Sequence, residues 1–129
     1  MRTIVVSIHN GLLSEAITRI LLDSGEFTAI QSSKISKAGH AHESCKLISA
    51  DVALLGVSEA DGECFEKRLK EVEKIRKDLP DCKVVMLCDE NTYPELAKKV
   101  VRAKKENIID NFFYSSITAN YLTAALASL

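Results

Sequence analysis

Five short runs rich in β-branched and aliphatic residues recur along the chain, with helix-periodic stretches between them. They are Thr3 to Ser7, Phe27 to Ser32, Asp51 to Val57, Lys83 to Cys88 and Ile108 to Phe113. Strand patterns that alternate with helical ones mark βαβ units, because parallel neighbours need a crossover long enough to hold a helix. The predicted class is α/β, a doubly wound (βα)5 domain with a five-stranded parallel sheet. Asp-Val-Ala-Leu-Leu-Gly-Val at 51–57 is nearly continuous in apolar residues, as expected of a central strand covered on both faces. With 129 residues, the chain suits one domain over 1–129.

The intervening helices are read from apolar spacing. The first runs from about Leu12 to Asp23, with Leu13, Ala16, Ile17, Ile20 and Leu21 as its inner stripe, and Ser24-Gly25 ends it. A short second helix, about His40 to Ser49, follows a loop at Lys37-Ala38-Gly39. The third carries Phe65, Leu69, Val72 and Ile75 on one side, with Lys67, Arg68, Lys70, Glu71, Lys74 and Lys77 mostly on the other. Leu79-Pro80-Asp81 closes it, since proline disfavours helix in the residue before it. Pro94 suits the first turn of a fourth helix, Glu95 to about Lys105. The last helix is Thr118 to Leu129, with Thr118 as cap and Leu122, Ala125, Leu126 and Leu129 facing inward.

Seventeen Lys and Arg against eighteen Asp and Glu give a net charge of -1, so no general field draws the chain onto nucleic acid or membrane. Direct nucleic-acid binding and membrane association are not expected, and no apolar run reaches the ~18 residues of a membrane helix. Met1-Arg2-Thr3 leads directly into Ile4-Val5-Val6 without a secretory signal pattern, which makes a cytoplasmic address the default expectation. Cys45, Cys64, Cys82 and Cys88 include no CxxC pair and are read as reduced thiols. The chain stops where its last helix stops, as a domain cut from a longer protein would.

In an open parallel sheet, ligands bind beyond the carboxyl ends of the strands. The candidates are therefore Ile8, His9 and Asn10; Gly56, Val57 and Ser58; Cys88, Asp89 and Glu90; and Tyr114 to Ser116. Ser7-Ile8-His9-Asn10-Gly11-Leu12 holds one glycine and fits neither a Rossmann nor a P-loop pattern. A cobalamin-type DxHxxG reading through His9 meets Ser7 and Leu12 instead, so no cofactor is expected. His40, His42 and Cys45 form an HxHxxC cluster, but only His42 and Cys45 share a helix face and no fourth ligand lies nearby. The favoured reading there is a solvated first turn with Cys45 facing the core, and no metal. Asp89 and Glu90 would raise the Cys88 thiol pKa, so a thiol enzyme using Cys88 with His9 as base is a minor alternative. Lys98, Lys99, Arg102, Lys104 and Lys105 form a basic patch, read as a solvated helix face.

Ala50-Asp51-Val52-Ala53-Leu54-Leu55, Val84-Val85-Met86-Leu87 and the 112–126 segment resemble the response-regulator receiver domain, most closely receivers of LuxR-type transcription regulators. The resemblance implies a CheY-like, flavodoxin-like sheet in the order 2-1-3-4-5 and two-component signalling. It also implies a site: an acidic pair after the first strand, a phosphoacceptor Asp ending the third, a hydroxyl residue after the fourth and a lysine after the fifth. Here the pair maps to Ile8 and His9, or to His9 and Asn10, the acceptor to Gly56, the hydroxyl residue to Cys88 and the lysine to Ser115. Neither register supplies carboxylates for Mg²⁺, and Gly56 has no side chain to form an acyl phosphate.

The expectation is a degenerate, non-enzymatic receiver acting through protein contacts and independent of phosphorylation. Phe112 falls at the family's aromatic switch position, where the plain reading is core packing. Homodimerisation is expected through helices one and five, or through helix four, strand five and helix five. Other partners would be signalling proteins or a C-terminal DNA-binding domain. The alternative is a small-molecule sensor using the vacated pocket of His9, Gly56, Ser58, Cys88 and Ser115. Asp89 and Glu59 are the carboxylates that could replace a lost acceptor.

Overall fold

A computed structural model describes residues 1–36, 40–59, 62–88 and 94–129. Five parallel strands, β1 (Arg2–Ser7), β2 (Phe27–Gln31), β3 (Val52–Val57), β4 (Lys83–Cys88) and β5 (Asn111–Tyr114), form one sheet in the order β2-β1-β3-β4-β5. The helices are α1 (Gly11–Asp23), α2 (Ala41–Ile48), α3 (Phe65–Asp78), α4 (Pro94–Lys105) and α5 (Ala119–Ala127), with a single 3₁₀ turn at Ser32–Lys34 after β2. The doubly wound architecture and strand order agree with expectation.

Alternation along the strands sends side chains to two cores. Ile4, Val6, Leu54, Val85 and Leu87 meet Ile17 and Leu21 of α1 and Leu122 and Leu126 of α5. Val5, Ala53, Leu55, Val84 and Met86 face the other side, against Cys45, Val72, Ile75, Leu96 and Val100 of α2, α3 and α4. All six residues of β3 are buried, which explains its unbroken apolar run. A fully buried aliphatic side chain contributes roughly 1.5–3 kcal/mol. A charged side chain in the same interior is tolerated only with partners, a condition that bears on Arg68 below.

Four local readings are corrected. The buried stripe of α1 runs through Ser14, Ile17, Thr18 and Leu21, while Ala16 is exposed. Its polar members have partners: Thr18 Oγ1 donates to the Ser14 carbonyl at 2.7 Å, and Ser14 Oγ to Gln31 Oε1 at 3.1 Å. β5 begins at Asn111 and not at Ile108. Asn107, with φ +61°, ends α4 in the left-handed region, and Ile108 and Ile109 turn into the core while Asp110 Oδ2 accepts the Val84 amide at 2.8 Å. α2 starts one residue after His40, which makes no side-chain cap; Glu71 Oε2 on α3 accepts the Ala41 amide at 2.9 Å instead. Finally, Arg68 lies in the buried stripe of α3 with Val72 and Ile75, not on its solvated side.

Candidate functional site

The carboxyl ends of β1, β3, β4 and β5 meet at one end of the sheet around a cavity of about 330 Å³. Ile8, His9, Asn10, Gly56, Ser58, Cys88 and Ser115 all line it, together with Glu63. Asn10 also has a local duty, since its Oδ1 accepts the Leu13 amide at 3.1 Å and caps α1. Cys88 is buried, and its carbonyl accepts the Ser115 amide at 2.9 Å. Asp89 and Glu90 lie outside the described residues, and Glu59 is exposed.

Gly56, next to last in the buried strand β3, borders a space that another residue has taken. A methyl carbon added at Gly56 would lie 3.1 Å from Glu63 Oε1 and 3.3 Å from the Ile8 Cα. Both distances are shorter than ordinary van der Waals contact. Gly62, with φ +89°, adopts a conformation that L side chains rarely reach and turns the chain so that Glu63 points back over the β3 end. The turn is closed by the Ser58 amide donating to the Glu63 carbonyl at 3.2 Å. Ser58 Oγ then donates to Glu63 Oε1 at 3.2 Å, and the His9 amide donates to Glu63 Oε2. Glu63 is only 6% exposed.

Arg68, 3% exposed, supports this arrangement from below. Its Nε donates to the Gly56 carbonyl at 2.8 Å, and its Nη2 to the Ser7 carbonyl at 2.8 Å. Nη1 donates to Ser7 Oγ at 3.1 Å and to Glu71 Oε1 at 2.9 Å. Nη2 also lies 3.7 Å from Glu63 Oε2. The planar fork of arginine is suited to this work, because one lysine ammonium could not cover two strand ends and two carboxylates. A second cavity, of about 360 Å³, lies beside the first, and Ile8, His9 and Glu63 line both. Ser14, Ser33, His40 and Glu71 add to its polar wall.

Glu63 and Arg68 are thus part of the site, and neither was singled out from the sequence. Arg68 was detectable in principle, since 68, 72 and 75 follow the spacing of one helix face. Glu63 carries no comparable signal in a loop without periodicity.

The remaining candidates resolve separately. His42 bonds Asp78 at 2.6 Å, and Cys45 is fully buried. Among the described residues no group of three or more His, Cys, Asp and Glu could hold a metal ion. In the core, the neighbouring Cys82 thiol and burial push the Cys45 thiol up, while Cys45 draws the Cys82 thiol down. Phe112 is partly buried, edge-on to Tyr114 at 5.6 Å, with Lys104 Nζ 5.9 Å from its ring centre. The five basic residues of α4 are exposed, and Lys99 reaches Glu66 on α3 at 3.1 Å. Among the described residues no helix is long and apolar enough to cross a membrane.

No family model matches the chain, and no curated protein matches it. Solved structures do. A signal receiver domain from Vibrio parahaemolyticus, assigned to a LuxO repressor, superposes with a TM-score of 0.70 at 11% identity, over 99% of this chain and 89% of that one. The CheY-like protein TadZ of Pseudomonas aeruginosa gives 0.69 at 15% identity, over 99% and 98%. NtrX of Brucella abortus, solved with ADP, gives 0.69 at 18% identity, over 99% of this chain but 27% of its own. With one parallel sheet in the order 2-1-3-4-5 and these superpositions, the chain has the CheY-like fold of receiver domains.

Proposed function

We propose that the chain is a degenerate receiver domain that regulates through protein contacts without aspartyl phosphate and without enzymatic activity. The observation that carries this reading is the pairing of Gly56 with Glu63 at the β3 end. An acceptor there needs a carboxylate projecting from the strand, but the space is filled by a loop carboxylate already engaged by Ser58, His9 and Arg68. Ile8, His9 and Asn10 offer no carboxylate for Mg²⁺ beside it, and Ser115 offers no ammonium for a phosphoryl group.

The proposed partners are drawn from the similar structures. One similar structure belongs to a LuxO repressor and another is a small part of a longer NtrX chain. A LuxR-type regulator with a DNA-binding domain, or a separate signalling protein, is the corresponding partner here. A homodimer through α1 and α5, or through α4, β5 and α5, completes the proposal.

Intact-mass measurement and analytical ultracentrifugation before and after acetyl phosphate with Mg²⁺ test it. The expected result is an unchanged mass and a dimer present in both samples. A stoichiometric, acid-labile phosphoryl adduct would overturn the reading and direct attention to Glu63 or Glu59; a strict monomer at high concentration would remove the dimer.

The small-molecule reading is favoured by one observation, the two adjoining cavities at the β1 and β3 ends.

A further inference from the structure

We propose that the His9 amide, the Ser58 hydroxyl and the Arg68 guanidinium form an oxyanion site that the chain fills with its own Glu63 carboxylate. A compact external carboxylate or phosphate competes for that site and displaces the Glu63 carboxylate from it. The inference deepens the reading of the β3 end as a site without a phosphoacceptor, and it supplies that site with an input.

Three donors from three segments converge on one carboxylate. Glu63 Oε1 receives Ser58 Oγ, while Oε2 receives the His9 amide and lies 3.7 Å from Arg68 Nη2. Two of the donors, Arg68 and His9, are held in place by residues other than Glu63. Arg68 is fixed by the Ser7 and Gly56 carbonyls and by Glu71, and His9 lies two residues past the end of β1, next to Asn10, which caps α1. A donor set held in place by other bonds remains an anion site when its occupant leaves.

Charge points the same way. Arg68 faces two carboxylates, and without Glu63 it stays balanced by Glu71 alone, with Nη2 and the His9 amide turned toward an emptied, partly buried space. Buried donors without acceptors are costly, so the emptied site favours an oxyanion over water or a cation. The first cavity borders Gly56, Ser58 and Glu63 and gives a small ligand room to approach.

The tether sets the concentration at which competition becomes visible. A group held by a short loop has an effective concentration on the order of millimolar or above, so a free anion of like affinity must reach that range. The probes are therefore sodium acetate and sodium phosphate at tens of millimolar, roughly an order above that floor, each compared with chloride at matched ionic strength.

The experiment is thermal unfolding of the full chain and of Glu63→Ala with each probe, together with amide NMR of the wild type. Glu63→Ala should melt lower than wild type and recover with acetate or phosphate, saturably and by more than wild type gains. Recovery by acetate alone marks a carboxylate site, and recovery by phosphate alone marks a phosphate site. In wild type, the amides of His9, Ser58 and Glu63 should shift saturably with the same anion, and Arg68→Lys should abolish that shift.

Equal responses of Glu63→Ala and wild type, or responses matched by chloride, overturn the proposal. Should Glu63→Ala not fold, Glu63→Gln and the wild-type titration decide it, and unmoved His9, Ser58 and Glu63 amides overturn it. A phosphoryl adduct in the acetyl phosphate experiment would instead be seen as covalent mass, which separates failure of the functional reading from failure of this one.

Discussion

Arg68 Nε donates to the Gly56 carbonyl at 2.8 Å, so a side chain of α3 secures the end of the central strand from below. Replacing it should be among the most damaging single changes in the chain. Arg68→Met leaves Glu63 and Glu71 without their cation and two strand carbonyls without a donor. Breaking a buried charge cluster in this way costs about 3–5 kcal/mol. Arg68→Lys keeps the charge but not the fork, and should recover only part of the loss. Urea unfolding at unchanged m-value measures both, and an Arg68→Met protein as stable as wild type would contradict the cluster.

Gly56→Ala should destabilise through crowding, at about 1–3 kcal/mol. Part of that cost comes from Glu63 Oε1 at 3.1 Å and part from Ile8 at 3.3 Å. The substitution should therefore cost less in a Glu63→Ala background, though not nothing. A double-mutant cycle by urea unfolding checks this, and strictly additive costs would mean that the two positions do not compete for space.

The His42 and Asp78 pair gives a pH prediction. The hydrogen bond with His42, aided by Lys46 and Lys77, holds the Asp78 carboxyl below its ordinary value. A depressed carboxyl contributes stability above its unfolded value of about 4, and the contribution fades as pH falls through the lower folded value. His42→Ala should move the Asp78 carboxyl titration upward, followed by carboxyl carbon NMR. An unmoved midpoint would show that His42 does not hold that carboxylate.

The thiols should separate by access. Cys64, at the start of α3, is partly exposed, whereas Cys45, Cys82 and Cys88 are buried. Alkylation of the native protein at neutral pH should label Cys64 first, read by peptide mass spectrometry. Cys82, whose pKa is drawn down by Cys45, should follow only as the core opens. Labelling of Cys88 ahead of Cys64 would revive the thiol-enzyme alternative.

The strands were legible because burial on both faces writes itself as an unbroken apolar run, as in β3. The ends of elements were less so. Ile108 and Ile109 look like strand residues but serve the core from a turn, because Asn107 ends α4 only one residue earlier. Arg68 was misplaced because a cation beside Lys67 and Lys70 reads as solvated, although its spacing to Val72 and Ile75 marks the buried face. Ile8, Gly56 and Ser115 could be found by position after their strands. Glu63 could not, since what brings it to the site is a left-handed turn at Gly62 and the donors waiting there.

Glu71 carries a consequence of its own. One of its oxygens accepts from Arg68 and the other from the Ala41 amide, the first residue of a helix with no cap of its own. The start of α2 and the floor of the cavity therefore share one carboxylate as a common hinge pin. Loosening Arg68 unfastens the first turn of the neighbouring helix on the same face of the sheet, and the two should fray as one unit.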